Sequence, residues 1–273
     1  MVRKKISSAE NQFVRQAVEA KSRKRGSKNF FIAEGPHLVE IAAGSSAQIE
    51  EIFFTEDFVR TTEGRKILYK LSQMESVPRF SIEVPSNIFA RISDTETPQG
   101  IIAVVEQPQT SLFGLAASNE PLMAVCDGVR DPGNLGTIIR VADAVAADAV
   151  IVLPGTCDPF SPKTVRATAG SIFNIPVISS DQNGLIDFMS YGKIGLITTD
   201  VDAEHSLFAC DFRRPVALAF GNEAKGVSAE LAAEAADSIK IPIPGKAESL
   251  NVAVAAAVCL YEAVRQRMQC TGL

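Results

Sequence analysis

Ile241-Pro242-Ile243-Pro244-Gly245-Lys246-Ala247-Glu248-Ser249-Leu250-Asn251 runs into an apolar segment from Val252 to Arg267, and this junction decides how the chain is read. Two prolines fix φ and remove backbone donors, so the stretch is neither a helix nor a central strand. Gly245 allows a turn that a residue with a Cβ would resist. Ser249 or Asn251 can cap the helix that follows, whose opening turns Val252-Ala253-Val254-Ala255-Ala256-Ala257-Val258 are apolar almost all round. A stiff loop rich in free backbone groups thus feeds a deeply buried helix. Ligands are often held at such a place by main-chain hydrogen bonds and a helix N-terminus. Taken alone, the stretch reads first as an ordinary strand–loop–helix junction.

Two further loops share its character. Asp127-Gly128-Val129-Arg130-Asp131-Pro132-Gly133-Asn134-Leu135-Gly136 follows an apolar strand at Leu122–Cys126. Asn134 is a plausible N-cap for a helix from Leu135 to Ala146, and Arg140 falls among apolar residues where a guanidinium needs a polar partner. Gly221-Asn222-Glu223-Ala224-Lys225-Gly226 follows a second strand at Val216–Phe220, the position where open α/β sheets place ligands. Other apolar strands are expected at Asp148–Leu153, Pro176–Ser179, Ile194–Thr198 and Ser238–Ile241. Strands of this kind are buried on both faces, so the second half reads as a parallel sheet with helices on both sides.

The first half alternates differently. Ser8-Ala9-Glu10-Asn11 caps a helix through Phe13, Val14, Ala17 and Val18, closed near Gly26. Short strands are expected at Phe30–Ala33, Ile49–Phe54, Pro78–Ile82 and Ile101–Val105, with helices at His37–Ala43, Thr62–Met74 and around Pro85–Ile92. Glu106 to Asn119, with its Pro, Ser and Gly residues, reads as a linker. The divisions are a basic arm and helix over 1–28, a small α/β domain over 29–106, a linker over 107–118 and a larger domain over 119–273.

Composition narrows the function. With 46% hydrophobic and 22% charged residues the chain has a globular make-up. No apolar run reaches the ~18 residues of a membrane span, and no signal-peptide pattern opens the chain, so a cytoplasmic protein is expected. The five cysteines are scattered without CxxC spacing, and His37 and His205 form no ligand pattern, so neither disulfides nor a metal are expected. Net charge is −5, yet residues 1–30 carry nine Lys/Arg against two Glu. A basic arm on an acidic body is a common grip on a phosphate backbone. GxGxxG, GxxxxGK(S/T) and GxSxG are all absent, which disfavours dinucleotide, P-loop and serine-hydrolase chemistry.

Together the loops resemble the SpoU/TrmH family of RNA ribose 2′-O-methyltransferases, of the SPOUT class. The likeness lies in Asn134-x-Gly136-x-x-x-Arg140, Phe220-Gly221-Asn222-Glu223-x-x-Gly226 and Ile241-Pro242-Ile243-x-Gly245-x-x-x-Ser249-Leu250-Asn251-Val252. Each follows an expected strand. Residues 30–105, with Glu34-Gly35 and Thr97-Pro98-Gln99-Gly100, look like the L30e-like substrate-binding domain of many members. The resemblance implies a C-terminal sheet closed by a deep trefoil knot, which sequence physics would not suggest, since knots are very rare. It implies S-adenosylmethionine as cofactor, held by backbone near Gly221, Ile241, Ser249 and Leu250, and a homodimer joined through the knotted domain. It places Asn134, Arg140, Glu223, Ser249 and Asn251 in the catalytic pocket. RNA capture is assigned to the N-terminal domain, with Arg23, Lys24, Arg25, Glu34 and Gly35 as candidate contacts. Ribosomal RNA of the 23S type is favoured over transfer RNA. The rival readings are a tRNA 2′-O-methyltransferase and a non-catalytic RNA-binding protein of ribosome assembly.

Overall fold

A computed structural model describes residues 2–23, 29–74, 77, 80–115 and 117–271. Two compact units emerge: Met1–Gln109 with Phe160–Phe173, and Thr110–Pro159 with Asn174–Leu273. The segment Phe160–Phe173, placed by sequence in the second domain, thus belongs to the first unit.

In the first unit the chain begins with a strand, β1 (Val2–Lys5), where sequence suggested a free basic arm. It pairs in parallel with β4 (Phe80–Glu83), and the edge charges are neutralised there: Lys5 lies 2.9 Å and Arg3 3.9 Å from the Glu83 carboxylate. Lys4 covers the Phe13 ring at 4.4 Å. Helix α1 (Gln12–Ser22) follows, capped by Asn11, whose side chain accepts from the Phe13 N–H. The helix stops at Arg23, which takes φ +49°; the stop expected at Gly26 lies outside the described residues. Next come β2 (Phe30–Glu34), α2 (Pro36–Gly44), β3 (Ile49–Phe54), α3 (Glu56–Arg60), α4 (Thr62–Ser72), α5 (Ser86–Ile92) and β5 (Ile101–Glu106). The five-stranded order is β1-β4-β3-β5-β2, with β5 antiparallel to both neighbours. Alternate residues Ile32, Phe53, Ile82, Ile102 and Val104 bury against α1 and α5. Helices α2 and α4 pack together, and α2 lies on β2 and β5. Phe31 meets Phe160 and Phe173 at ring distances of 5.1 and 5.9 Å, which anchors the inserted segment.

A buried acid interrupts this core. At an irregularity in the β3–β5 register, Glu51 is 4% exposed and its Oε2 has no hydrogen-bond partner among the described residues. Burial first, then the neighbouring Glu50 charge, pushes its carboxyl up to about 7. Below its ordinary pKa of 4.5 the group is protonated whether folded or not, so it has no effect on stability. As pH rises from there, the unfolded chain releases the proton and the folded chain holds it. Stability therefore falls by up to about 3 kcal/mol and levels off above the folded value. Glu51→Gln is expected to remove that decline, measured by urea unfolding at a series of pH values. An unchanged slope in the variant would place the titration elsewhere.

The second unit is a parallel α/β sheet. Its strands are β6 (Leu122–Asp127), β7 (Ala149–Val152), β8 (Val177–Ser179), β9 (Gly195–Thr199), β10 (His205–Ser206), β11 (Val216–Gly221) and β12 (Asp237–Lys240). The seven-stranded order is β10-β12-β9-β11-β6-β7-β8, parallel throughout. Its helices are α6 (Pro132–Ala144), α8 (Gln182–Gly192), α9 (Ala229–Ala233) and α10 (Val252–Thr271); α7 (Pro162–Ala167) belongs with the first unit. One face buries Met123, Val125, Ile151, Ala217 and Ala219 against Leu185, Phe188 and Met189 of α8 and Leu231 of α9. Helices α6 and α10 pack together and onto β6, β7 and β11. They bury Leu135, Ile138 and Ile139 of α6 with Ala253, Ala256, Leu260 and Ala263 of α10. The expected architecture is present, with the two-residue β10 as an unforeseen addition.

Candidate active site

Strands β11 and β6 lie side by side at the middle of the sheet, with Gly221 paired to Asp127. Their following loops therefore emerge together at the carboxyl edge, where open α/β sheets bind ligands. Glycine at 221 is compulsory: a Cβ there would collide with the backbone of Gly226 and Val227, which folds back across it. That turn is closed by reciprocal bonds between Asn222 and Gly226, each N–H donating to the other's carbonyl at 2.9 Å. Gly226 takes φ +71°, a conformation glycine adopts without strain.

The first loop is organised by an unexpected cap. Helix α6 starts at Pro132, not at Leu135, with Asp131 as N-cap accepting from the Asn134 N–H at 3.0 Å. Proline at the first helical position loses no intrahelical bond. Asn134 therefore does not cap the helix, and its side chain is free to bridge loops. Its Nδ2 donates to Glu223 Oε1 at 2.9 Å, and its Oδ1 accepts from Asn251 Nδ2 at 2.9 Å. Asn251 in turn caps α10, its Oδ1 accepting from the N–H groups of Ala253 at 2.9 Å and Val254 at 3.3 Å. Glu223, Asn134 and Asn251, distant in sequence, form one relay through all three loops.

Glu223 also accepts from the N–H groups of Arg130 and Asp131, each at 3.4 Å. Asn222 Nδ2 donates to the Gly128 carbonyl at 2.9 Å, and the Ser228 N–H donates to Asp127 at 2.7 Å. Burial would raise the Glu223 carboxyl, but the Asn134 side chain and the N–H groups of its own residue, Arg130 and Asp131 outweigh it and hold it below the ordinary value. The acid is thus an anion at neutral pH, fixed as a loop tie. Among the described residues no hydrogen bond or ion pair joins it to Arg140.

Arg140 and Ser249 stand outside the relay. Both are exposed, and neither side chain makes a hydrogen bond or ion pair among the described residues. The partner expected for the Arg140 guanidinium is therefore not among the described residues: Ile138, Ile139 and Ala142 bury one face of α6 while Arg140 is exposed. The loop 241–250 forms no hydrogen bond among the described residues and is largely exposed, with Leu250 at 37%. Its N–H and C=O groups, those of Ile241 and Leu250 included, remain open where the chain runs into Asn251, the relay and the start of α10. Neutral main-chain donors and acceptors at a helix N-terminus suit a heterocycle edge and a carboxylate. Among the described residues no cluster of His, Cys, Asp and Glu could hold a metal, and no helix is long and apolar enough to cross a membrane. Cys126, Cys157, Cys210 and Cys259 form no disulfide among the described residues, and burial pushes Cys259 up to about 12, so it is no nucleophile.

The candidate RNA contacts of the first unit are differently disposed. Arg23 donates to the Phe30 carbonyl at 2.8 Å and Gln107 at 3.0 Å, and lies 5.6 Å from the Phe160 ring. Its guanidinium is committed to the unit's own structure; Lys24 and Arg25 lie outside the described residues. Glu34 is buried, its carboxylate accepting from the Ser93 hydroxyl, the Thr95 hydroxyl at 2.7 Å and the Asp94 N–H at 3.0 Å. It holds the 93–95 turn and has no edge to offer RNA. Gly35 takes φ +99° against the side chain of Gln99. Sequence reasoning passed over Arg267, whose guanidinium gathers carbonyls from two strand entries; a lone arginine late in a helix gave no signal of it.

Comparison with known proteins gives these features a context. Residues 121–261 match the model of the SpoU rRNA Methylase family, and residues 11–103 match the MRM3-like substrate binding domain. The chain is 36% identical over 261 residues to the 23S rRNA (guanosine(2553)-2'-O)-methyltransferase RlmP of Bacillus subtilis, covering 94% of this chain and 98% of that one. It is 30% identical over 274 residues to the 23S rRNA (uridine(2479)-2'-O)-methyltransferase of Streptomyces viridochromogenes, covering 97% and 93%. The AdoMet-bound rRNA methyltransferase from Sinorhizobium meliloti superposes with a TM-score of 0.82 at 31% identity, over 96% of this chain and 98% of that one.

Proposed function

The chain belongs to the SpoU rRNA methylase family, and from that premise we propose that it transfers a methyl group from S-adenosylmethionine to a ribose 2′-hydroxyl in ribosomal RNA of the 23S type. The observation that carries this is the relay Glu223–Asn134–Asn251, which draws three loops together beside a segment of open backbone. The Gly221 turn, Ile241 and Ser249–Leu250 would hold the cofactor through main-chain groups. When bound, it supplies an electrophilic methyl on a sulfonium.

The residues divide the remaining work. The 2′-oxygen must lose its proton as it bonds to the methyl carbon, and it must approach in line. Asn134 and Ser249 position the hydroxyl. Arg140, exposed and uncommitted, orients the nucleotide by its planar fork and stabilises the alkoxide as charge develops. A guanidinium has five N–H donors and no acceptor, so it serves as a donor and a phosphate of the RNA takes the proton. Glu223 holds the loops.

Two structural elements belong to the same proposal. The first unit is an L30e-like domain that captures RNA, and the loop 241–251 with α10 forms a trefoil knot. Two copies join through α10: Val254, Tyr261 and Met268 recur every seven residues, are 49%, 54% and 48% exposed, and form an apolar stripe that a second chain would cover. Calorimetry of S-adenosylmethionine with purified protein tests the site. Micromolar binding is expected, lost in Leu250→Trp, which fills the loop without touching the core. No binding with or without RNA would favour a non-catalytic RNA-binding role.

A further inference from the structure

The first unit contains a cavity of about 470 Å³ that the methyl-transfer site does not use. That volume lies within the range of small-molecule sites, roughly 300–1,000 Å³. It sits where β2, β3 and β4 end and β5 begins, ringed by the starts of α2, α4 and α5. Two glycines make the room. Gly100, at φ +82°, passes so close to Phe58 and Thr55 that a Cβ would lie 2.8 Å from each. Gly35, at φ +99°, leaves the space against which the Gln99 amide rests. Phe58 and Phe89 form an apolar lining. The hydroxyl of Thr61 is spent on the Phe58 carbonyl and the Gly64 N–H. Asp57 faces Arg60 at 4.0 Å. Glu63, Gln99 and Ser86 line the cavity, and their side chains have no hydrogen-bond or ion-pair partner among the described residues.

This chemistry selects an occupant. Carboxylates at the mouth repel a phosphate backbone, so RNA would enter by a base. Proteins read unstacked RNA bases along their Watson–Crick edges, over apolar or aromatic side chains. Of the four bases only guanine presents two adjacent donors, N1–H and the exocyclic amine, that one carboxylate can accept side by side. Its O6 then faces a donor, which Gln99 or Ser86 supplies. We propose that this cavity receives an unstacked guanine of the RNA substrate, with Glu63 accepting from the base and Gln99 donating to it. The assignment rests on the reading of the chain as an RNA methyltransferase and adds the base by which the first unit recognises its substrate. Gly35 is then a specificity residue, because any side chain there displaces Gln99.

The test is saturation-transfer NMR of the full-length protein, saturated with S-adenosylmethionine, against GMP, AMP, CMP and UMP at equal concentration. Guanine H8 is expected to saturate at least fivefold more strongly than protons of the other bases. Glu63→Gln and Gly35→Ala should each weaken GMP binding at least fivefold without changing cofactor affinity. Equal signals from all four nucleotides, or GMP binding indifferent to both substitutions, would overturn the proposal. Stronger binding of L-argininamide than of GMP would also overturn it, and would point to a basic peptide as occupant. Methylation of ribosomal RNA is measured in parallel. Lost guanine preference with intact methylation refutes the cavity alone, and intact preference without methylation refutes the parent reading alone.

Discussion

Arg140→Ala is expected to lower kcat for ribose methylation by about 10²–10³, the usual cost of removing a preorganised donor from a developing oxyanion. Arg140→Lys should recover little of it, because an ammonium keeps the charge but loses the planar fork. Neither change should disturb the fold: Arg140 is exposed and its side chain makes no hydrogen bond among the described residues, so stability should stay within about 0.5 kcal/mol. Cofactor affinity should also be unchanged, since the groups assigned to it are on other loops. Single-turnover kinetics beside calorimetry would separate these effects. Near-normal turnover in the lysine variant would remove Arg140 from the role given to it here.

The largest expected effect on stability lies at the other end of α10. Arg267 donates to the carbonyls of Phe212 at 2.9 Å, Glu120 at 2.6 Å, Arg214 at 3.0 Å and Pro121 at 3.3 Å. Beside it Gln266 accepts from the Phe212 N–H at 2.9 Å and donates to the Cys210 carbonyl at 2.9 Å. These residues lead into β6 and β11, the two strands whose loops form the candidate site. Burial lowers the Arg267 pKa, although the charges of Glu120 and Asp148 act against it. Arg267→Ala would leave several carbonyls short of a donor, at a cost of about 2–4 kcal/mol. For a unit of this size the melting midpoint should then drop by roughly 5–15 °C. Arg267→Lys should fall between, since one ammonium cannot reach all four oxygens. A midpoint unchanged in both variants would mean that α10 is held by its apolar face alone.

The sequence exposed the sheet and the loops well, because buried parallel strands are apolar throughout and the turns are marked by Gly, Pro and Asn. Asn251 was legible as a helix cap for that reason. Asn134 was misread as one: Asp-Pro-Gly looks like a turn, yet Asp131 caps and Pro132 starts the helix. The bridge from Asn134 to Glu223 spans 89 positions and has no local signature. The four residues Val2–Lys5 looked like a solvated arm because basic residues rarely mark a strand. Glu83 on the neighbouring strand supplies the counter-charge that lets them pair. Glu34 was read as a contact for RNA when its partners, Ser93 and Thr95, lie some sixty positions away.

Mass spectrometry of nucleosides is the most direct test of the central claim. Unmethylated 23S-type ribosomal RNA is incubated with the purified protein and isotopically labelled S-adenosylmethionine, then digested completely. The proposed reaction predicts the label in a single 2′-O-methylnucleoside, absent when Arg140 is replaced by alanine. Label on a base, or no label in any nucleoside, would contradict it.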